Sequence, residues 1–238
     1  MQPQLLDLFT TKPSFDNFIS LNNESLIDAL KQQNHQFMHI VGATSSGKTH
    51  LLKSAVATSK QPAFFIDSQT INSTKLNTNN LPSLNTLADS YDYIAIDNID
   101  QLNNQQQIAL FDLFNNIKLN YLNKRLLTSS SINLEAAANL RDDLKTRILS
   151  GINLHLKALS DSDLHTALSI FTTQEGISLG NAEQSYLINH YTRNIGILIQ
   201  TIKRLVETAL LNKRNITIPL IKEFLLKSTP NMHIEANP

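Results

Sequence analysis

"GATSSGKT", residues 42–49, decides how this chain folds. It fits G-x-x-x-x-G-K-[ST], a loop that wraps backbone N–H groups around phosphate oxygens. Gly42 and Gly47 take the tight positions, where a Cβ would obstruct the approach of backbone to an anion. Ser45 and Ser46 lie in the cradle between them. Lys48 is placed to reach the β- and γ-phosphates, and Thr49 to offer its hydroxyl to Mg²⁺. The motif needs a strand before it and a helix after it. "QFMHIVG" (36–42) is a short apolar strand, and "GKTHLLKSAVATSK" (47–60) has helical spacing. The positive end of that helix faces the same anion.

Working outward, "DYIAID" (92–97) is a continuous apolar run that ends in an acid, as in the middle of a parallel sheet. Asp97 at its tip is the expected carboxylate for a phosphate-bound Mg²⁺. Asn98 follows, where a second acid would activate water. An amide orients water but is no general base, so the pair predicts a nucleotide binder with weak hydrolysis of its own. Asp100 reads as a cap of the next helix.

Further strands are expected at 62–67, 125–131 and 152–159, with a loop and then a helix over 15–33, capped by Asn23 or Ser25, and helices at 103–124, 134–140 and 142–150. In the helix at 103–124, Ile108, Phe111, Phe114, Ile117 and Tyr121 recur at helical period. Residues 72–85 are polar, a loop with a short helix. Strands alternating with helices predict an α/β three-layer core with a parallel sheet. After residue 159 four helical segments follow in a row, capped at the start by Asp161 or Ser162. The expected domains are a tail at 1–12, a nucleotide-binding core at 13–159, a small all-α domain at 160–228 and a frayed tail at 229–238.

Composition narrows the partners. Lys+Arg and Asp+Glu both number 20, so the basic excess usual in nucleic-acid binders is missing. Lys203, Arg204, Lys213 and Arg214 form the nearest thing to a basic cluster, and read as the solvated face of one helix. Cysteine is absent, which excludes disulfides and thiolate-ligated zinc. The start "MQPQLLDLFTTKPSF" has neither the basic nor the apolar region of a secretory signal, and no apolar run approaches the roughly 18 residues of a membrane span.

With the phosphate loop, the Asp97 strand and the helical C-terminal domain, the chain resembles AAA+ proteins, and more narrowly the ATPase module of the bacterial replication initiator DnaA. "SFDNFI" (14–19), "GATSSGKTHLL" with His50, "NIGILIQTIKRL" (194–205) and "ITIPLIKEFL" (216–225) carry the likeness. It implies an AAA+ P-loop core followed by an all-α lid, with Phe15 and Phe18 helping to line the base pocket. The likeness ends with the lid, so the helix-turn-helix DNA-binding domain of DnaA is not expected. A DnaA-like module with Asp-Asn-Ile at the metal strand is similar to the Hda family, regulatory inactivators of DnaA. "QLLDLF" (4–9) resembles the sliding-clamp-binding motif of that family. Gln4 would hydrogen-bond at the pocket rim, and Leu5, Leu8 and Phe9 form the apolar part of the motif, with Leu8 and Phe9 filling the cavity.

The likeness also implies why the base is lost. Such a protein holds a nucleotide, ADP in characterised relatives, to fix its shape, and acts on a neighbour's ATP. "LKTRILSG" (144–151) resembles the segment bearing the arginine finger, with Arg147 at the matching position. Fingers supplied in trans are worth about 10³ to 10⁵ in rate. Two positions depart from the DnaA pattern. Ser130 stands where DnaA relatives often have Asp as sensor 1. Gly196 stands at the sensor 2 arginine, and Arg193, three residues earlier, is the candidate to replace it.

The implied cofactors are ADP or ATP with Mg²⁺. The implied partners are DnaA and the DNA-polymerase sliding clamp, with DNA met only through the clamp, no membrane, and a bacterial cytoplasmic setting. Self-association is left open. The alternative is a DnaA-like helicase loader that binds ATP and single-stranded DNA; neutral charge, Asn98 and "QLLDLF" speak against it. A self-sufficient remodelling ATPase would need turnover by the isolated chain.

Overall fold

The computed structural model describes residues 12–68 and 84–228 of the chain. The 4–9 motif, most of the 72–85 loop and the 229–238 tail lie outside the described residues. The structure divides into two compact units, one over 12–158 and one from Leu159 onward.

In the first unit five strands form one parallel sheet in the order β2-β3-β4-β1-β5: β1 Phe37–Val41, β2 Ala63–Asp67, β3 Tyr93–Asp97, β4 Arg125–Ser130 and β5 Ile152–His155. All five residues of β3 are buried, which is why the sequence there shows no polar alternation. Helices cover both faces. α1 (Glu24–Gln32) and α2 (Lys48–Thr58) lie on one side, where Leu26, Leu30, Leu51 and Leu52 pack on Met38, Ile40, Ala95 and Leu127. α3 (Leu84–Ser90), α4 (Asn104–Asn120) and α5 (Asp142–Leu149) lie on the other, where Leu110, Leu113, Phe114 and Leu144 pack on Ile94, Ile96 and Leu126. This is a three-layer αβα sandwich. Successive residues of a strand therefore belong to different layers.

Several local expectations are corrected. The buried stripe of α4 is Gln107, Leu110, Leu113, Phe114 and Ile117, and Ile108 is exposed. The cap of α4 is Asn103, in a capping box with Gln106, and not Asp100. Asp100 sits in a 3₁₀ turn (Ile99–Gln101), where its Oδ1 accepts from the Ser131 N–H at 3.2 Å. The alanine-rich stretch 134–140 is helical only as a 3₁₀ turn at Leu134–Ala136. Its continuation is claimed by long-range hydrogen bonds. Gln107 Nε2 donates to the Asn139 carbonyl at 3.0 Å, and Asn139 Nδ2 donates to the Asp100 carbonyl at 2.5 Å. With Ala137 and Leu140 buried, tertiary packing overrides helix propensity. β5 ends at His155, short of the expected 159.

The second unit is all-helical: α6 (Asp161–Gln174), α7 (Asn181–His190), α8 (Ile195–Leu211) and α9 (Ile218–Ser228). Leu198, Ile202 and Leu205 of α8 pack with Leu164, Leu168, Leu187, Ile188 and Ile221. The cap of α6 is Ser160, in a capping box with Asp163, one residue before the expected Asp161 or Ser162. Lys203 and Arg204 lie on α8, but Lys213 and Arg214 lie beyond its end, so the four do not form one helix face. Arg214 pairs with Glu223, and Arg204 lies over the Phe224 ring.

Candidate nucleotide site

An open parallel sheet binds ligands beyond the carboxyl ends of its strands. Here those ends bring together the loop after β1, Asp97 of β3 and the serines of β4. The loop is tied to β4 by the Gly42 N–H, which donates to the Ser130 carbonyl at 3.2 Å. Ser45 (φ 64°) and Gly47 (φ 101°) both take left-handed backbone. At Gly47 a Cβ would lie 2.7 Å from Cε2 of Phe18, so glycine is required there for space as well as for φ. Phe18 thus packs on the loop, and its ring lies 5.5 Å from that of His50. His50 Nε2 donates to the Ser14 carbonyl at 2.9 Å, tying the 14–19 segment to α2. Burial lowers the His50 pKa, against the bond to Ser14. Phe15 is buried in the core below, with Lys31 over its ring at 5.8 Å.

Lys48 opens α2 and is almost wholly buried. Its Nζ donates to the carbonyls of Gly42 (2.7 Å) and Ala43 (2.9 Å). Burial pulls its pKa below the usual lysine value, and Asp97 and Asp100 oppose that pull. The Ser46 hydroxyl is buried without a hydrogen-bond partner among the described residues. An orphan hydroxyl inside a cationic loop fits a phosphate oxygen as its acceptor.

Asp97 is fully buried, and both carboxylate oxygens are satisfied by neutral hydroxyls. Thr49 donates to Oδ2 and Ser129 to Oδ1. Asn98 has left-handed backbone (φ 56°), and its N–H donates to Ser129 Oγ at 3.0 Å. No group of three His, Cys, Asp or Glu side chains gathers among the described residues. A magnesium ion at this site would use Thr49 and Asp97 with phosphate oxygens and water, as that ion commonly does.

Ser129 was not singled out by the motifs. The phase of β4 could have found it. Leu127 faces the α1–α2 layer and Leu126 the other, so Ser129 shares the face of Leu127, Ala95 and Asp97, while Ser130 points to the opposite layer. Ser130 Oγ donates to the Ile132 carbonyl at 2.7 Å and meets His39 Nε2 at 3.0 Å. His39 Nδ1 lies 2.8 Å from Thr128 Oγ1. His39 was also missed, because a histidine within an apolar strand carries no motif. Its pKa is lowered to about 3, first by burial and then by His155.

The other candidates are carried by other elements. Arg147, on α5, is half-buried with its guanidinium 5.8 Å from the Phe111 ring centre. The acids near it in sequence are engaged elsewhere, Asp142 with Lys145 at 3.2 Å and Asp143 with Arg141 at 2.6 Å. Among the described residues Arg147 has no carboxylate partner. Arg193, in the helical unit, pairs with Asp161 at 3.1 Å. Gly196 lies in the first turn of α8, and its N–H donates to the capping Asn194 Oδ1 at 3.0 Å.

Comparison with known proteins fits this geometry. Residues 161–225 match the Hda lid domain model. A Haemophilus influenzae protein of uncharacterised function is 28% identical over 221 residues, 89% of this chain and 93% of that one. Domain III of the Thermotoga maritima initiation protein DnaA superposes with a TM-score of 0.72 at 18% identity, over 93% of this chain and 99% of that one. AMPPCP-bound DnaA from Aquifex aeolicus gives 0.65 at 22%, over 83% of this chain. The chain spans 66% of the length of that DnaA structure. The Thermotoga maritima branch-migration motor RuvB gives 0.63 at 16%, over 94% of this chain and 73% of that one. The chain therefore shares the fold of these DnaA and RuvB structures, a three-layer αβα core followed by an all-helical unit, and over residues 161–225 that unit matches the Hda lid domain model.

Proposed function

We propose that this protein holds ADP or ATP with Mg²⁺ and, together with the DNA-loaded sliding clamp, stimulates hydrolysis of DnaA-bound ATP, so repressing re-initiation of replication. The observation that carries the reading is Arg147. A half-buried guanidinium that no carboxylate among the described residues neutralises can be offered to an external anion, whereas one paired within its own fold must first be released. The nucleotide site supports the same division of labour. It has a phosphate loop and a metal-side acid, but Asn98 supplies no general base.

In this reading Gln4, Leu5, Leu8 and Phe9 engage the clamp, Ser130 stands at the sensor 1 position, and Arg193 substitutes for the sensor 2 arginine that Gly196 replaces. DNA is met through the clamp, and the setting is the bacterial cytoplasm. No helix among the described residues is long and apolar enough to cross a membrane. The test is single-turnover hydrolysis of ATP on DnaA with clamp loaded on DNA. The full chain is expected to accelerate it. A chain lacking residues 1–9 is expected to lose most of that effect while still binding nucleotide. Equal stimulation by both chains would remove the clamp from the account.

A further inference from the structure

Asp97 is a buried anion whose solvation shell has been replaced by two hydroxyls, and Lys48 Nζ is bound to loop carbonyls instead. Such a charge is tolerated only while its hydrogen bonds hold. A divalent cation would take a lone pair of the Thr49 oxygen, which then has to serve the metal and Asp97 at once. Ser129 is the side-chain donor to Asp97 that would not itself be a metal ligand, is wholly buried, and also accepts the Asn98 N–H at its oxygen. We infer that Ser129 is a positioning residue for the cation–nucleotide site: it aims the Asp97 carboxylate at the metal and fixes the backbone turn that follows. The role falls to Ser129 because strand alternation puts it, and not Ser130, on the phosphate-loop face. The inference rests on the reading of residues 42–49 as a nucleotide loop.

Outer-shell partners of metal ligands typically cost about 10- to 100-fold in metal affinity when removed. The test titrates a fluorescent ADP analogue into the full chain, with Mg²⁺ and with EDTA. Wild type is expected to bind more tightly with Mg²⁺. Ser129→Ala is expected to lose about 10-fold or more of the affinity measured with Mg²⁺, and little of that measured with EDTA. Ser129→Thr, which keeps the hydroxyl, is expected to stay near wild type, a rescue that loss of packing alone would not give. Should Ser129→Ala fail to fold, Ser129→Cys, a weaker donor of similar size, is expected to show the same selective loss in smaller degree. Equal losses with and without Mg²⁺, or none, would overturn the inference and leave the loop reading intact. Wild type that binds the analogue under neither condition would overturn both.

Discussion

Two buried or paired side chains set opposite conditions on this protein. His39 sits neutral in the sheet between two hydroxyls, with its pKa lowered to about 3 against 6.5 for the free side chain. The unfolded chain therefore takes up a proton as pH falls below 6.5, and the folded chain does not. The stability tied to His39 is complete above that value and is lost as pH falls from 6.5 toward 3, at up to about 1.4 kcal/mol per pH unit. Denaturant unfolding at pH 7 and pH 5 should show a smaller acid loss in His39→Gln than in wild type. Arg193 is the reverse case. Its pair with Asp161 is largely exposed, and such pairs are worth about 0–1 kcal/mol. Releasing it toward a nucleotide costs little, so Arg193→Ala should weaken ADP binding while leaving thermal stability nearly unchanged. Unchanged affinity in an ADP titration would end its role as substitute for the sensor 2 arginine.

At the level of elements, the strands and the phosphate loop were legible because their signals are local. An apolar run ending in Asp97 and a glycine-lysine loop need no distant partner to be recognised. The caps were less legible. Several polar residues cluster before α4 and α6, and only the geometry of Asn103 with Gln106, and of Ser160 with Asp163, selects among them. Asn103→Ala should cost about 1 kcal/mol by denaturant unfolding. An Asp100→Ala loss assigned to helix capping would contradict the observed hydrogen bonds. The stretch 134–140 was illegible for a further reason. The groups that stop its helix, on Gln107 and Asp100, are far from it in sequence. The role of Ser129 needed the phase of β4, which four consecutive polar residues, Thr128 to Ser131, conceal.

For the whole molecule, the proposed function combines a core that would hold phosphate and metal, without an acid at Asn98 to activate water, with a helical unit that matches the Hda lid domain model over residues 161–225. In that proposal the core would contribute Arg147 from α5, an element outside the phosphate loop. The division predicts little hydrolysis by the chain itself and an effect read only on its partner. The most direct measurement is single-turnover hydrolysis of DnaA-bound ATP, with clamp loaded on DNA, comparing wild type with Arg147→Ala. The account predicts that the variant still binds ADP and yet loses at least about two of the three to five orders of magnitude that a trans-acting arginine supplies. Stimulation by Arg147→Ala at the wild-type rate would contradict it.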